Sequence, residues 1–198
     1  MSWGEIEAPL AGRLVHVEPL SETHGEGLWE AAQDERIFAW MPFHVGADRE
    51  TFHGWLVDAI EGPYVSFAIV DAADGTAIGS TRYLNLRPEH RGLEIGWTWL
   101  MQRAWGTGVN VETKLLLLEH AFDQLGCMRV EFKTDARNER SRRALEALPA
   151  QFEGVFRKHM LVRGGELRDS AYYAIVDDDW PDVRASLERR LASVRPAN

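Results

Sequence analysis

Two glycines just before a long predicted helix are the residues of this 198-residue sequence most typical of a ligand site. Gly106 and Gly108 follow a predicted strand that ends at Met101, and apolar residues at helical spacing predict a helix over 109–125. Glycine allows the backbone to turn tightly and to bring its N–H groups close to a ligand. The first turn of a helix adds N–H groups without intrahelical acceptors and a partial positive charge. The pattern therefore predicts an anion site, and a phosphate is the usual occupant of such a site.

The two commonest phosphate-binding motifs do not match this loop. A P-loop continues from its last glycine into lysine and then serine or threonine, whereas Val109 and Asn110 follow Gly108. A dinucleotide-binding fingerprint has a third glycine and lies in an early β-α-β unit. Val111 occupies the position of that glycine, and a meander of three predicted strands comes directly before the loop. Neither motif therefore explains the predicted anion site.

The elements that must position this loop alternate between strands and helices. Strands are predicted over 14–19, 64–70, 77–86, 93–101, 129–134, 152–160 and 172–176. Helices are predicted to begin after Ser21 or Thr23, at Asp48, at Val109, at Asn138 and after Asp178 or Asp179. Asp74-Gly75 between two strands predicts a hairpin. Mixed alternation of this kind is typical of an α/β sheet with helices on its faces.

Four short stretches occur in a characteristic order along the chain. They are EIGW at 94–97, WGTGVNVE at 105–112, NERS at 138–141 and FEGVFRKH at 152–159. In combination and order they resemble the GNAT N-acetyltransferases, in particular the RimJ/RimL-like branch that acetylates protein N-termini. The resemblance extends over roughly residues 13–180.

The resemblance implies a GNAT fold of the mixed α/β (α+β) class. Its central, mostly antiparallel sheet is expected to have six to seven strands, splayed between strands four and five, with helices on both faces. We expect residues 1–198 to form a single GNAT acetyltransferase domain. Its core would span roughly 13–180, with a C-terminal helix after it.

The resemblance also implies acetyl-CoA as co-substrate, bound in the cleft between strands four and five. Backbone groups near Leu100 and Met101 are expected to pair with its pantetheine arm as an added strand does, and N–H groups of the loop to bind its pyrophosphate. The implied cofactor-binding residues are Leu100, Met101, Arg103, Trp105, Gly106, Thr107, Gly108, Val109, Asn110 and Asn138. Two residues depart from the family pattern: Asn110 replaces a small residue, and Pro149 replaces a glycine before the sixth strand.

The implied chemistry is direct attack of a primary amine on the thioester of acetyl-CoA. Glu94, eleven residues before Trp105, is the candidate general base; the alternatives are a solvated carboxylate or a partner of Arg91. Ser141 is the candidate proton donor to the leaving thiolate, although a serine here could simply cap the helix or face solvent. Tyr83 is a second candidate acid, but a tyrosine on a strand more often packs.

The acceptor is expected to be a protein N-terminal amine, such as that of a ribosomal protein. A small amine is the alternative, and a non-catalytic acyl-CoA-binding module is an alternative of another class. Residues 40–43 (WMPF) could contribute to the acceptor cleft, to core packing or to a homodimer interface. Loops build the acceptor cleft of such enzymes, so the sequence does not choose between acceptors.

Composition limits the partners and the location. The net charge of −9 argues against a nucleic-acid partner, which requires a basic surface, and would suit a cationic acceptor or solubility alone. No apolar run approaches the roughly 20 residues that cross a bilayer, so no membrane partner is expected. Cys127 is the only cysteine, which predicts a reducing, cytoplasmic location. The seven histidines lack metal-ligand spacing, so no metal is expected.

Overall fold

An eight-stranded sheet forms the centre of the protein in a computed structural model that describes residues 3–42 and 44–194. Its strands are β1 (Leu10–Ala11), β2 (Val15–Pro19), β3 (Val65–Asp71), β4 (Ala77–Arg87), β5 (Gly92–Leu100), β6 (Arg129–Asp135), β7 (Gln151–Val162) and β8 (Glu166–Val176). The α-helices of this part of the chain are α1 (Gly25–Ala31), α2 (Arg49–Glu61), α3 (Val109–Glu119), α4 (Glu139–Glu146) and α5 (Trp180–Ala192). No helix among the described residues is long and apolar enough to cross a membrane. Phe43, considered above for the acceptor cleft, lies outside the described residues.

The strands follow the order β1-β2-β3-β4-β5-β6-β8-β7, and only β5 and β6 are parallel neighbours. This confirms the mixed, mostly antiparallel fold. The predicted number of six to seven strands is wrong, because β1 adds an eighth. β1 has only two residues, Leu10 and Ala11, which pair with Val17 and His16 of β2. Two residues are too few to show the alternating apolar pattern from which a strand is predicted.

The parallel pair of strands parts soon after it begins. Residues 92–94 of β5 pair with residues 129–131 of β6, and β5 then continues to Leu100 while β6 continues to Asp135. The predicted splay between the fourth and fifth predicted strands is thereby confirmed. Backbone groups on the two separated edges have no partner strand across the gap, so they can pair with a ligand.

Helices cover both faces of the sheet, as predicted. α1 and α2 pack on the face that carries Ala68, and α3 and α5 pack on the opposite face, which carries Phe67. Trp180 and Leu187 of α5 belong to the larger core, so the C-terminal helix contributes directly to it. The buried side chains of α2 are Phe52, Trp55, Leu56 and Ala59. Each large apolar side chain buried in this way contributes about 1.5–3 kcal/mol to stability.

The ends of the helices follow the capping residues of the sequence in part. The Asn138 side chain accepts a hydrogen bond from the Ser141 N–H (3.1 Å), which confirms it as the N-cap of α4. The helix predicted over 109–125 is α-helical only to Glu119 and continues as a π-helical turn over His120–Gln124. At Pro149, where the family pattern has glycine, φ is +29°. That conformation suits glycine and is disfavoured by the proline ring.

Candidate active site

A cleft of about 390 Å³ opens where β5 and β6 part. Both strands line it, together with the loop before α3, the first turns of α3 and α4, and residues 40–42. The predicted site residues that line it are Glu94, Leu100, Trp105, Gly106, Asn110, Asn138 and Ser141. The fold therefore brings the glycine-containing loop, the candidate base and the candidate acid to one cleft.

The other predicted cofactor-binding residues lie beside the cleft and do not line it in the described structure: Met101, Arg103, Thr107, Gly108 and Val109. The Met101 N–H donates to Ile78 O (2.9 Å), and its carbonyl accepts from the Ala104 N–H (3.0 Å). Arg103 Nε donates to the Met101 sulfur, and the guanidinium lies 3.7 Å from the Asp71 carboxylate. Met101 and Arg103 thus have their polar groups bonded within the protein.

The loop before α3 is ordered by its own contacts. Trp105 Nε1 donates to Leu100 O (2.9 Å), which ties the loop to the end of β5. Gly106 and Gly108 have φ values of 76° and 93°, a region in which other residues are strained. Within the described residues, the N–H groups of Gly106, Thr107 and Gly108 donate to no protein acceptor, and the first N–H groups of α3 have none inside the helix. The loop can therefore present several donors to one anion.

Two further side chains flank this loop. Asn110, in the first turn of α3, lines the cleft, and its side chain makes no hydrogen bond within the part of the chain that the structure describes. The Arg140 guanidinium lies 4.0 Å from the centre of the Trp105 ring and also lines the cleft. Free N–H donors, a free amide and a guanidinium together fit phosphate groups better than any apolar ligand.

The Glu94 carboxylate forms hydrogen bonds through only one of its two oxygens within the described residues. Its side chain is 1% exposed, and Oε2 accepts hydrogen bonds from Asn85 Nδ2 (2.6 Å) and Lys133 Nζ (3.1 Å). Its other oxygen, Oε1, is buried and has no hydrogen-bond partner among the described residues. A Cβ built on Gly96 would lie 3.0 Å from Oε1, so the glycine leaves space beside this oxygen. One oxygen is therefore anchored, and the other keeps its hydrogen-bonding capacity unused within the described chain.

Both structural alternatives for Glu94 are wrong. It is not solvated, and Arg91 donates instead to Gly126 O (2.6 Å). Its actual partners, Asn85 and Lys133, were missed in the sequence. Asn85 has φ of +46° at an irregularity of β4, and asparagine is one of the few residues that tolerate that region. An asparagine near the end of a strand was thus a weak indication of a special position in the sequence. Nothing in the sequence marked Lys133 as a partner of Glu94.

The candidate acid lies across the cleft from β5, in the first turn of α4. The Ser141 N–H is bonded to the Asn138 cap, while its hydroxyl forms no hydrogen bond to the rest of the described chain. Tyr83 is not an alternative, because it is fully buried and its hydroxyl donates to Leu117 O (2.8 Å).

Burial raises the pKa of Cys127 to about 11, so this thiol is not a nucleophile at neutral pH. No group of three His, Cys, Asp or Glu side chains in the described ranges could hold a metal ion.

Comparison with protein families gives this geometry a context. Residues 15–151 match the family described as Acetyltransferase (GNAT) domain, which is more than half of the chain. The chain belongs to the GNAT acetyltransferase family. Because the members of this family are acyltransferases, the chain is an enzyme of that class. The alternative of a non-catalytic binding module is not supported.

Relatives of this GNAT enzyme agree with that assignment. A GCN5-related N-acetyltransferase from Brucella melitensis has a TM-score of 0.90 and 31% identity, over 94% of this chain and 86% of that chain. A Bacillus subtilis (strain 168) protein named "Putative ribosomal N-acetyltransferase YdaF" is 25% identical over 150 residues, which is 74% of this chain and 81% of its own length. Mycobacterium smegmatis RimJ, solved in complex with CoA-disulfide, has a TM-score of 0.74 and 20% identity, over 92% and 93% of the two chains. These relatives support a RimJ/RimL-like branch.

The cleft of this GNAT enzyme also contains a buried lysine that the sequence did not single out. Lys114 of α3 lines the cleft and is 7% exposed. Its Nζ donates to Thr98 Oγ1 on β5 (2.7 Å) and lies 5.9 Å from the centre of the Phe132 ring on β6. Burial lowers the pKa of Lys114 from 10.5 to about 7, because a protein interior disfavours the charged ammonium.

Replacing Lys114 with methionine is expected to reduce the pH dependence of stability. The folded-state pKa of Lys114 lies below its unfolded value, so protonation opposes folding and wild-type stability rises as the pH increases from about 7 to about 10.5. From this group alone, the free energy of unfolding should fall by about 2 kcal/mol between pH 9 and pH 7. Urea unfolding of wild type and Lys114→Met at both pH values measures the effect, with Thr113→Val, at the neighbouring buried position, as the control. The same pH dependence in wild type and Lys114→Met would contradict it.

Proposed function

We propose that this GNAT enzyme transfers an acetyl group from acetyl-CoA to a primary amine by direct attack, and that the amine is a protein N-terminus. One observation carries the proposal. The loop before α3 and the side chain of Glu94, one oxygen of which has no partner among the described residues, line the same cleft between β5 and β6. A phosphate-containing donor and an attacking amine can therefore meet within one cleft.

The co-substrate fits the cleft in two parts. The pyrophosphate fits the N-terminal end of α3, where Gly106 supplies a free N–H and Arg140 supplies a positive charge. Asn110 would contact it through its side-chain amide, in place of the small residue of the family pattern. The pantetheine arm fits the gap beyond residues 94 and 131, where the strand edges have no partner across the gap. Met101 and Arg103 are left out of this proposal because their polar groups are already bonded.

The chemistry requires one bond to form and one to break. The nitrogen of the acceptor amine attacks the thioester carbonyl carbon, the C–N bond forms, and the C–S bond then breaks. Glu94 Oε1 accepts the proton that the nitrogen loses, and the Ser141 hydroxyl donates a proton to the departing sulfur. Lys133 and Asn85 hold the other oxygen of Glu94, so the base is oriented before the acceptor binds.

The protein N-terminus is favoured as acceptor by the branch to which the relatives point, since YdaF is named as a ribosomal N-acetyltransferase. We expect the acceptor to bind beside residues 40–42. There, the Arg137 and Arg163 guanidinium groups lie 5.4 Å and 5.9 Å from the centre of the Trp40 ring. These contacts hold residues 40–42 beside β6 as one wall of the cleft. Connecting segments vary in sequence among homologues more than strands and helices do. A wall formed by such a segment can therefore differ between enzymes that use different acceptors.

Three further predictions accompany this function. A single domain is supported by one sheet that runs from residue 10 to residue 176, with α5 in the same core. A cytoplasmic location is compatible with the buried free thiol of Cys127. A homodimer is supported by exposed apolar side chains on β7 and β8, which include Phe156, Leu161 and Leu167.

A turnover assay across acceptors tests the proposed function directly. We expect CoA release from acetyl-CoA to depend on added amine, and to be faster with peptides that have a free N-terminus than with polyamines or aminoglycosides. The same peptides with a blocked N-terminus serve as the matched control. Binding of acetyl-CoA without acetylation of any amine would contradict the proposed reaction.

A further inference from the structure

The face of the sheet turned away from α3 carries a polar surface, and several of its side chains line the cleft. Glu94 lies opposite Glu131 in the parallel pair, and Asp135 lies opposite Ser170 in the β6–β8 pair. Side chains two residues apart on a strand project from the same face. The cleft-lining side chains Glu94, Lys133, Asp135 and Arg168 therefore share one face.

Arg168 is the member of this surface that lacks a partner. Its side chain lines the cleft, the residue is 8% exposed, and Nε has no hydrogen-bond acceptor among the described residues. Its guanidinium forms no ion pair anywhere in residues 3–42 and 44–194. By contrast, Arg137 and Arg163 both pair with Asp135 and Glu166.

A buried guanidinium without a partner is costly, because its Nε–H loses water and gains no acceptor in return. The nearby carboxylates do not relieve this cost. Asp135 is bonded to its two arginines, and Oε2 of Glu94 is bonded to Lys133. Burial accordingly lowers the pKa of Arg168, although Asp135 and Glu94 oppose the shift.

The cleft thus has two unpartnered groups of opposite charge on one face. Glu94 Oε1 can receive an amine proton, and the Arg168 guanidinium can receive an anion. A planar guanidinium matches a carboxylate, which it can bind through two parallel hydrogen bonds. An acceptor that carries an amine and a carboxylate would satisfy both groups at once.

We propose that Arg168 binds a carboxylate of the acceptor, so that the preferred substrate is an amine that bears a carboxylate. The proposal rests on the proposed acetyl transfer to an amine and adds a carboxylate as a second feature of the acceptor. The carboxylate can belong to a free amino acid or to an acidic side chain next to a protein N-terminus, and the test below distinguishes these sources.

Two pairs of acceptors test the proposal on the full-length enzyme. The first pair is a free amino acid, alanine, and its C-terminal amide; the second is an amidated peptide with glutamate at its second position and the same peptide with glutamine. We expect kcat/KM to favour the carboxylate-bearing member of one pair by about tenfold or more, since a charge-assisted hydrogen bond exceeds a tenfold effect. The pair that shows the preference identifies the source.

Variants of Arg168 connect that preference to the guanidinium. In Arg168→Gln the preference should fall to about onefold to threefold, and Arg168→Lys should keep an intermediate preference because it keeps the charge without the planar fork. Arg157→Gln is the matched control, since it removes an exposed arginine from the neighbouring strand β7. The Tm of Arg168→Gln should equal or exceed that of wild type, because a buried unpaired charge is removed.

Two results would overturn the carboxylate proposal: no preference in either acceptor pair, or a preference that persists in Arg168→Gln. If no acceptor is acetylated at all, the proposed reaction fails, and binding decides the role of Arg168 separately. Calorimetric titration with N-acetylalanine and with its amide should then show tighter binding of the carboxylate, and only when Arg168 is present. Equal binding of the two compounds would refute the role of Arg168.

Discussion

Replacing Glu94 with glutamine is expected to lower kcat for acetyl transfer by about 100-fold or more, with little change in the affinity for acetyl-CoA. Glutamine keeps the shape of the side chain and can still accept the hydrogen bond from Asn85, but it cannot take a proton from the attacking amine. Because the free oxygen of Glu94 is buried in the cleft, no solvated carboxylate replaces it directly.

Glu131→Gln is the matched control for this variant. Glu131 is the neighbour of Glu94 on the same face of the sheet, but its carboxylate is paired with Arg87 and Arg129 and does not line the cleft. We expect its kcat to stay within about twofold of wild type, as for a substitution away from the reacting atoms. Steady-state rates measured with saturating acetyl-CoA should show the loss of kcat in Glu94→Gln only. A wild-type kcat in Glu94→Gln would remove Glu94 as the base.

Replacing Asn110 with aspartate is expected to weaken acetyl-CoA binding by about 10- to 100-fold, because a carboxylate would then face the pyrophosphate across the loop. The same change should not weaken the fold. An acidic residue in the first turn of a helix interacts favourably with the helix dipole, so α3 should be as stable as before or slightly more stable. A loss of binding with stability retained would therefore report on the ligand alone.

Asn110→Ser provides the neutral control and restores a small residue of the kind usual in the family. Its Kd for acetyl-CoA, measured by calorimetry, should stay within about fivefold of wild type, which corresponds to the loss of about 1 kcal/mol from one neutral hydrogen bond. The deficit of Asn110→Asp should shrink as salt is added, since salt screens charge repulsion. Wild-type affinity in Asn110→Asp would mean that the loop does not bind the pyrophosphate.

Substitution of a loop glycine is a less specific test of the same site. A Cβ at Gly108 would lie 2.9 Å from Val194 and 3.3 Å from Leu14, and the residue has φ of +93°. Gly108→Glu would therefore disturb packing beside the loop as well as any ligand. Asn110 faces the cleft directly, so its variants separate the two effects.

The parts of the site that could be predicted from the sequence are those governed by local rules. The two glycines before α3 and the Asn138 cap of α4 depend on the conformations of a few consecutive residues. The four family stretches identified Glu94 and Ser141 in the same way, as positions along the chain. Errors at this level concerned elements too short or irregular to leave a periodic signal, such as β1 and the π-helical turn after Glu119.

The sequence by itself determined the family, the order of the strands and helices other than β1, and the loop that begins α3. Only the tertiary structure decided which side chains meet in the cleft. Asn85 and Lys133 reach Glu94 from two other strands, and Arg168 enters the cleft from β8 without a partner. The physical reason is that contacts across a sheet depend on strand register and on where neighbouring strands part. No single segment of the chain encodes those relations.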